Sequence, residues 1–245
     1  MATQYERAPI TEALIDIRIN PLAGSYLDRI EEMYELVKHQ YPEKGQLTEF
    51  HAEISIGSSI GGQKPLGFMF KSKDSKQILQ ARLDGFTFSR LRPYTNWRDL
   101  IEQTSALWKH YRAVIGSETI TRVAVRYVNQ IDIPLEVFDY KDYFSTTPEI
   151  SPTLPQQLTK FMMQLQLPQT DFDGTLILTQ TTTPPPGPGT TSVILDLDVF
   201  KENPRLSSDD DIWRLLEVLR DRKNQFFEGS ITDRTRALFG PRSEV

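Results

Sequence analysis

The sequence predicts an α+β protein, a largely antiparallel sheet of about nine strands backed by three long helices. Several short segments alternate apolar and polar residues, which is the period of a strand with one buried face. The connections between most of these segments are too short for parallel crossovers. Longer segments repeat apolar residues at helical spacing. With 38% hydrophobic residues in 245, the chain can build a substantial core, which excludes global disorder.

The first part of the chain predicts a strand, a helix and a meander of strands. Residues 12–20 alternate cleanly between apolar and polar side chains. Residues 25–41 carry a helical apolar stripe, which Pro42 ends. Four strand-like runs follow, and the Asp84-Gly85 dipeptide between the last two is a strong hairpin signal.

The clearest helix is predicted over residues 97–115. Asn96 is a favourable N-cap residue, Asp99 suits the positively polarised first turn, and Gly116 suits the position after the helix. A long strand is predicted next, over residues 119–133, because its apolar residues recur at every second position.

The remaining segments predict a helix, a hairpin and a last long helix. A helix beginning at Pro155 and reaching residue 165 carries apolar residues at helical spacing. Residues 174–182 and 190–200 form a hairpin around an exposed, proline-rich loop at 183–189. Residues 208–228 form the last long helix, with three aspartates suited to its N-terminus.

The element order suggests an internal duplication. Residues 12–116 and 117–240 carry nearly the same order of strands and helices, of a β-α-β-β-α type. We therefore expect one integrated domain over residues 1–245, made of two pseudo-halves whose sheet is saddle-like or curled.

Composition excludes several classes of protein and site. The chain has no cysteine, which excludes disulfides, thiolate zinc sites and cysteine nucleophiles. Its net charge of −5 argues against a globally basic nucleic-acid binder. The N-terminal residues lack the pattern of a secretory signal, and no apolar run approaches a membrane span, so a cytoplasmic location is expected. No cofactor motif is present, and the three histidines lack metal-binding spacing, so neither a cofactor nor a metal is predicted.

Charged residues on the second face of the predicted strands are the main candidates for a site. Three strands have one apolar face and one mixed face. The mixed faces form either an ion-pair network or a binding surface for a polar ligand or peptide. The candidate binding residues are Arg18, Arg126, Asp132, Asp196 and Asp198.

An enzymatic alternative uses two of these residues. Asp196 and Asp198 share one strand face, and paired carboxylates can hold Mg²⁺ or Mn²⁺. Together with the nearby Lys201 they would suit a carboxylate-metal phosphodiesterase or nuclease. The competing interpretation is a salt bridge with an arginine on a neighbouring strand.

The meander offers a second alternative, nucleic-acid binding. Residues 64–98 hold eight basic and two acidic side chains, a local charge of +6, interleaved with aromatic residues. Single-stranded nucleic acid is often bound on sheets of this composition, although the phenylalanines alternate as core residues do. The candidate anion or nucleic-acid patch consists of Lys71, Lys73, Lys76, Arg82, Arg90 and Arg92.

Four stretches together resemble an uncharacterised, sporadically distributed bacterial protein family of about this length. They are Ala8-Pro9-Ile10-Thr11-Glu12-Ala13, Arg126-Tyr127-Val128-Asn129-Gln130-Ile131-Asp132-Ile133-Pro134, Leu195-Asp196-Leu197-Asp198-Val199, and Phe226-Phe227-Glu228-Gly229-Ser230-Ile231-Thr232-Asp233 with Leu238-Phe239. The resemblance spans nearly the whole chain and implies one integrated unit. It brings no established activity, cofactor or catalytic residue.

These observations favour a non-catalytic binding or interaction module of a bacterial accessory system, by analogy one of defence or toxin control. No catalytic residue is predicted. The expected partner is a protein or peptide rather than nucleic acid or a membrane, and a homodimer is compatible with the sequence. The partner would contact the polar sheet face or the loops at residues 57–65 and 183–189.

Overall fold

The computed structural model describes the backbone of residues 3–55, 58–116, 118–240 and 242–244. Within these ranges, the side chains of residues 3–4, 50–55, 58–63 and 242–244 lie outside the description. The strands are β1 (Thr3–Tyr5), β2 (Ile10–Ile19), β3 (Glu43–Ser55), β4 (Ser58–Lys71), β5 (Gln77–Arg82), β6 (Gly85–Leu91), β7 (Ile120–Ile133), β8 (Met162–Gln169), β9 (Gly174–Thr183), β10 (Thr191–Glu202) and β11 (Arg242–Glu244). The α-helices are α1 (Leu27–Val37), α2 (Trp97–Ile115), α3 (Asp209–Ser230) and α4 (Asp233–Leu238).

Nine of these strands form one open antiparallel sheet, in the order β3-β4-β5-β6-β2-β7-β10-β9-β8. The short strands β1 and β11 pair separately. Three of the helices in the described residues are long, so the predicted α+β class with a nine-stranded sheet and three long helices is confirmed.

The chain divides into two compact units. The first unit comprises residues 14–123 and 202–207, and the second comprises residues 1–13, 124–201 and 208–245. We count β2 with the first unit and β7 with the second, because each unit holds most of that strand.

The strand order within each unit follows one scheme. In the first unit a meander of β3 to β6 ends with β6 beside β2, and α2 follows. In the second unit a meander of β8 to β10 ends with β10 beside β7, and α3 follows. In both units, therefore, the last meander strand pairs with the strand that precedes the meander in sequence. This shared order is what an internal duplication would leave.

The prediction of a helix over residues 155–165 is wrong. Residues 162–169 form strand β8, in which Leu165 and Leu167 lie opposite Leu178 and Leu176 of β9. The apolar residues before and within this segment also satisfy helical spacing, but pairing with β9 determines the structure. As a result, the second unit has no counterpart of α1 between its first strand and its meander.

The core of the first unit lies between its meander and its helices. Phe86 is fully buried and contacts the rings of Trp108 and Tyr111 on α2, with centroid separations of 5.6 and 5.7 Å. The predicted cap of α2 is present, because the Asn96 side chain accepts a hydrogen bond from the Asp99 amide at 2.8 Å. Burial of these aromatic rings and a satisfied helix start explain why this helix forms where the sequence predicts it.

The core of the second unit lies under α3. Leu216 and Leu219 of this helix are fully buried, as are Leu195 and Leu197 of β10. Ser208 and Asp211 form a capping box at the start of α3, in agreement with the predicted helix start.

The loop predicted at residues 57–65 is largely a strand. β4 begins at Ser58, and its pairing with β3 continues to the Ser55–Ser58 pair. Gly57 and the side chains of residues 58–63 lie outside the described residues, so a role for this part of the 57–65 loop stays a prediction. No helix in the described ranges is long and apolar enough to cross a membrane.

Candidate functional site

The polar sheet face of the first unit carries a chain of ion pairs. Asp16 accepts from Arg18 at 2.8 and 2.9 Å and from Arg122 at 2.8 Å. Arg18 also lies 3.3 Å from Asp84, whose two oxygens accept from Arg82 at 2.8 and 2.9 Å. For Arg18 this arrangement matches the ion-pair alternative.

The network also favours the ionised form of one of its acids, Asp84. Burial acts to raise the pKa of Asp84, but the hydrogen bonds from Arg82 and the charge of Arg18 outweigh it and lower that pKa. Because the pKa of Asp84 is lower in the folded protein than in the unfolded chain, ionised Asp84 stabilises the fold at pH values above the unfolded pKa of 3.8. This stabilisation is lost as the pH falls through the folded pKa. The network is therefore intact at neutral pH.

The second unit holds a separate ion pair on its polar face, between Arg126 of β7 and Asp196 of β10. The Arg126 Nε donates to Asp196 Oδ1 at 2.9 Å, and its Nη2 donates to Oδ2 at 2.6 Å. These bonds, followed by the charges of Asp196 and Asp198, raise the pKa of Arg126 against the opposing effect of burial. The Asp196 carboxylate is largely buried, whereas nearly half of the Arg126 side chain is exposed.

Asp132 and Asp198 lie on this same face. Asp132 accepts from the Ser192 hydroxyl and, at 2.9 Å, from the Gln130 amide. Asp198 lies opposite Ile177 of β9.

A divalent ion at Asp196 would have to displace a bidentate guanidinium, and the described residues contain no cluster of three or more His, Asp or Glu that could hold a metal. The carboxylate-metal phosphodiesterase therefore stays a prediction without a supporting geometry.

Arg126→Gln should lower the free energy of unfolding by about 1–2 kcal/mol, because Asp196 would be left largely buried without its partner. Urea unfolding followed by circular dichroism measures the change. The matched control is Arg98→Gln, which breaks an exposed pair with Glu102 and should leave the free energy of unfolding unchanged. Equal midpoints for wild type and the Arg126 variant would contradict a structural role for this pair.

The six residues of the basic patch predicted on the meander do not lie on one surface. Lys71 and Arg82 lie on the face opposite the helices, whereas Arg90 approaches α2, where it donates to Gln103. Lys73 and Lys76 are exposed in the turn between β4 and β5, and Arg92 is exposed after β6.

The aromatic residues of the meander do not accompany this patch. Phe70, Phe86 and Phe88 are fully buried, and Phe68 is nearly so, in agreement with their predicted core alternation. They are not available to stack on bases, so stacking on a sheet surface lacks its aromatic partners here. Nucleic-acid binding by the patch stays a prediction.

One feature that the sequence did not predict is the open edge formed by β8. β8 is an outer strand of the sheet, and no described strand pairs with its free side. Its eight residues, Met-Met-Gln-Leu-Gln-Leu-Pro-Gln, contain no charge. Natural edge strands usually carry lysines, bulges or inward charges that prevent pairing with other chains.

The opposite edge of the sheet, β3, provides an internal comparison. Its sequence carries Glu43, Lys44, Glu49 and Glu53, and its pairing with β4 shifts register between Leu47 and Thr48. Charges and an irregular register are common protections of an edge strand. β3 is thus protected in ways that β8 is not, apart from Pro168 near the end of β8.

Exposed apolar side chains accompany the β8 edge. Five of the seven large apolar residues that are exposed in the described chain belong to the segment that leads into β8 or to β8 itself: Leu135, Val137, Leu154, Met162 and Leu167. Val137 and Met162 are each 74% exposed. Their neighbours in sequence, Phe138 and Phe161, both pack against Tyr140, with ring centroids 4.8 and 5.2 Å from the Tyr140 ring. Aromatic residues and methionine are enriched at protein interfaces.

The second unit also buries a lysine. Lys223 of α3 is 8% exposed, and its ammonium lies 3.8 Å from the centroid of the Tyr127 ring. Its ammonium donates a hydrogen bond to the neutral side chain of Asn224. Burial, with a smaller effect of Arg220, lowers its pKa to about 7.

In comparisons with known proteins, no protein-family model matches the chain, and no curated protein matches it. The resemblance to an uncharacterised bacterial family therefore stays a prediction.

Proposed function

We propose that the protein is a non-catalytic interaction module that binds an extended, basic peptide segment of a partner protein along the open edge of β8. The observation that carries the proposal is an uncharged edge strand whose outer side pairs with no strand of the described chain, flanked by exposed apolar side chains. Addition of a strand to such an edge is a recurrent mode of peptide recognition.

The backbone of β8 offers the hydrogen bonds for this mode. The Phe161 carbonyl, one residue before β8, accepts from the Thr182 amide of β9, so odd-numbered residues point their backbone groups toward β9. Backbone groups alternate in direction along a strand. Met162, Gln164 and Gln166 therefore present amides and carbonyls to the open side, whereas Pro168 has no amide to offer.

Exposed side chains at one end of β8 supply apolar contacts. Met162 is mostly exposed and follows Phe161, which packs against Tyr140. Unbranched methionine adapts its shape to different partners, and a neighbouring ring adds a rigid apolar surface. An incoming strand with alternating apolar residues would cover both.

The charge of the second unit favours a basic partner. The unit contains twelve basic and nineteen acidic residues, which gives a net charge of −7. Such a field attracts basic segments and raises their rate of association. It also opposes the pairing of β8 with β8 of a second copy, since two like-charged units would approach each other.

The proposal is tested with a fluorescein-labelled peptide of five Lys-Val repeats, followed by fluorescence anisotropy. We expect this peptide to bind, and the Glu-Val counterpart to bind at least tenfold more weakly because of the acidic unit. A Lys-Val peptide that is N-methylated at every residue keeps the charge but loses all of its backbone amide donors. It should also bind at least tenfold more weakly, because main-chain hydrogen bonds supply affinity in this mode.

Gln164→Pro removes an amide donor from the open side of β8. It keeps the backbone hydrogen bonds to β9 and loses only the bond that the Gln164 side chain donates to Thr179 at 3.1 Å. This variant should weaken binding of the Lys-Val peptide at least tenfold. The control is Gln157→Pro, at an exposed glutamine of the preceding loop, which should bind as wild type does. Equal affinity of the N-methylated and unmodified peptides would overturn the proposal. So would a concentration-dependent dimer that Gln164→Pro abolishes, because the occupant of the edge would then be a second copy.

A further inference from the structure

We infer that the first unit carries a second, independent binding site, a cavity between α1 and α2 that takes a small, uncharged, planar molecule with amide or heteroaromatic nitrogen and oxygen atoms. The cavity has a volume of about 250 Å³. It is lined by the end of α1 with the residues after it, and by one face of α2.

Four polar residues line this cavity: His39 and Gln40, which are exposed, and Gln103 and His110, which are half-buried. An imidazole can donate from one ring nitrogen and accept at the other, and a carboxamide offers both functions side by side. None of the lining residues is Lys, Arg, Asp or Glu, so the wall provides no full opposite charge for an ionic ligand. Matched donor and acceptor pairs of this kind suit amides and nitrogen heterocycles.

These polar groups retain hydrogen-bonding capacity. The Gln103 carbonyl oxygen accepts from Arg90 at 3.4 Å, which leaves its amide nitrogen to donate. Within the part of the chain that the structure describes, the imidazoles of His39 and His110 make no hydrogen bond to another residue. Tyr41, by contrast, is fully buried and donates to Gln77 at 2.7 Å, so it holds the segment after α1 in place rather than serving a ligand.

The lining also has an apolar part. Val37 and Leu107 are buried, and Leu36 is 58% exposed although it lines the cavity. Ligand pockets typically combine apolar walls with a few polar groups that fix orientation. A planar molecule could cover Leu36 while its edge meets the imidazoles and carboxamides.

The probe for this site is benzamide, with adenine as a second planar ligand and benzoate as the charged counterpart of benzamide. The chain has three histidines, so the imidazole proton signals in an NMR spectrum are few. We expect benzamide and adenine to shift the signals of His39 and His110 but not that of His51, which lies on β3. Benzoate should bind at least tenfold more weakly.

Ala106→Trp should fill the cavity and abolish the shifts, because Ala106 lines it. Ala113→Trp is the matched control, since Ala113 is an exposed alanine of the same helix outside the cavity, and it should bind benzamide as wild type does. Unchanged binding by the Ala106 variant would overturn the inference, as would the absence of shifts in wild type. Benzoate binding as tight as that of benzamide would overturn the assignment to uncharged ligands. The peptide experiment on β8 is unaffected by either outcome.

Discussion

Replacing Asp16 by asparagine should lower the free energy of unfolding by about 3 kcal/mol, because the change leaves two arginines without their shared counter-charge. Asp16 is only 4% exposed and accepts from Arg18, from Arg122 and, at 2.7 Å, from the Thr87 hydroxyl. Removal of one partner from a buried ionic network is costly since the remaining charges stay desolvated. Asparagine keeps the size of the side chain, so the loss reports charge and hydrogen bonding rather than a cavity.

Urea unfolding at pH 7 measures this loss, with Glu32→Gln as the control. Glu32 is an exposed acid of α1, and the same loss of one negative charge there should change the free energy by less than about 0.5 kcal/mol. If the Asp16 variant unfolds at the urea concentration of the control, the network contributes nothing to stability. The first-unit polar face would then be better explained as a surface kept for binding.

How far sequence predicts this fold depends on whether the signals are local. α2 spans residues 97–115 as predicted, because its cap at Asn96, its apolar stripe and its terminal Gly116 are all encoded within the segment. The prediction is wrong at β8 because the signal that selects a strand there is not local. Leu158, Phe161, Met162 and Leu165 satisfy helical spacing, and only the hydrogen bonds to β9 select a strand.

The candidate sites likewise depend partly on local sequence signals and partly on how distant elements pair. Side-chain alternation places Arg126 and Asp196 on polar faces of their strands. Their contact, however, depends on β7 lying beside β10, and the sequence does not reveal the strand order of the sheet. The open edge of β8 is likewise a property of that order. The spacing of Gln103, Ala106, Leu107 and His110 does mark one helical face of α2, which is a sequence signal for the cavity. The convergence of His39 on that face depends on how α1 packs.

Replacing Lys223 by methionine should raise the free energy of unfolding by about 2–4 kcal/mol at pH 7. Burial lowers the pKa of Lys223 to about 7 from an ordinary value of 10.5, so the folded protein holds its proton far less readily than the unfolded chain does. That difference corresponds to a penalty of about 4 kcal/mol at pH 7. The contact of the ammonium with the Tyr127 ring offsets about 2 kcal/mol of it at most. Methionine has a similar length, and its thioether carries no charge to desolvate.

The sign of the pH dependence separates this explanation from a general gain in packing. Between pH 7 and 10.5 the unfolded chain binds the Lys223 proton and the folded protein does not, so wild-type stability rises with pH in this window. The methionine variant lacks this rise, and its advantage should therefore be about 2 kcal/mol smaller at pH 9 than at pH 7. Lys109→Met, at an exposed lysine of α2, is the control and should change stability by less than about 0.5 kcal/mol at either pH. An advantage of the Lys223 variant that is equal at both pH values would show that packing, not desolvation of the ammonium, is responsible.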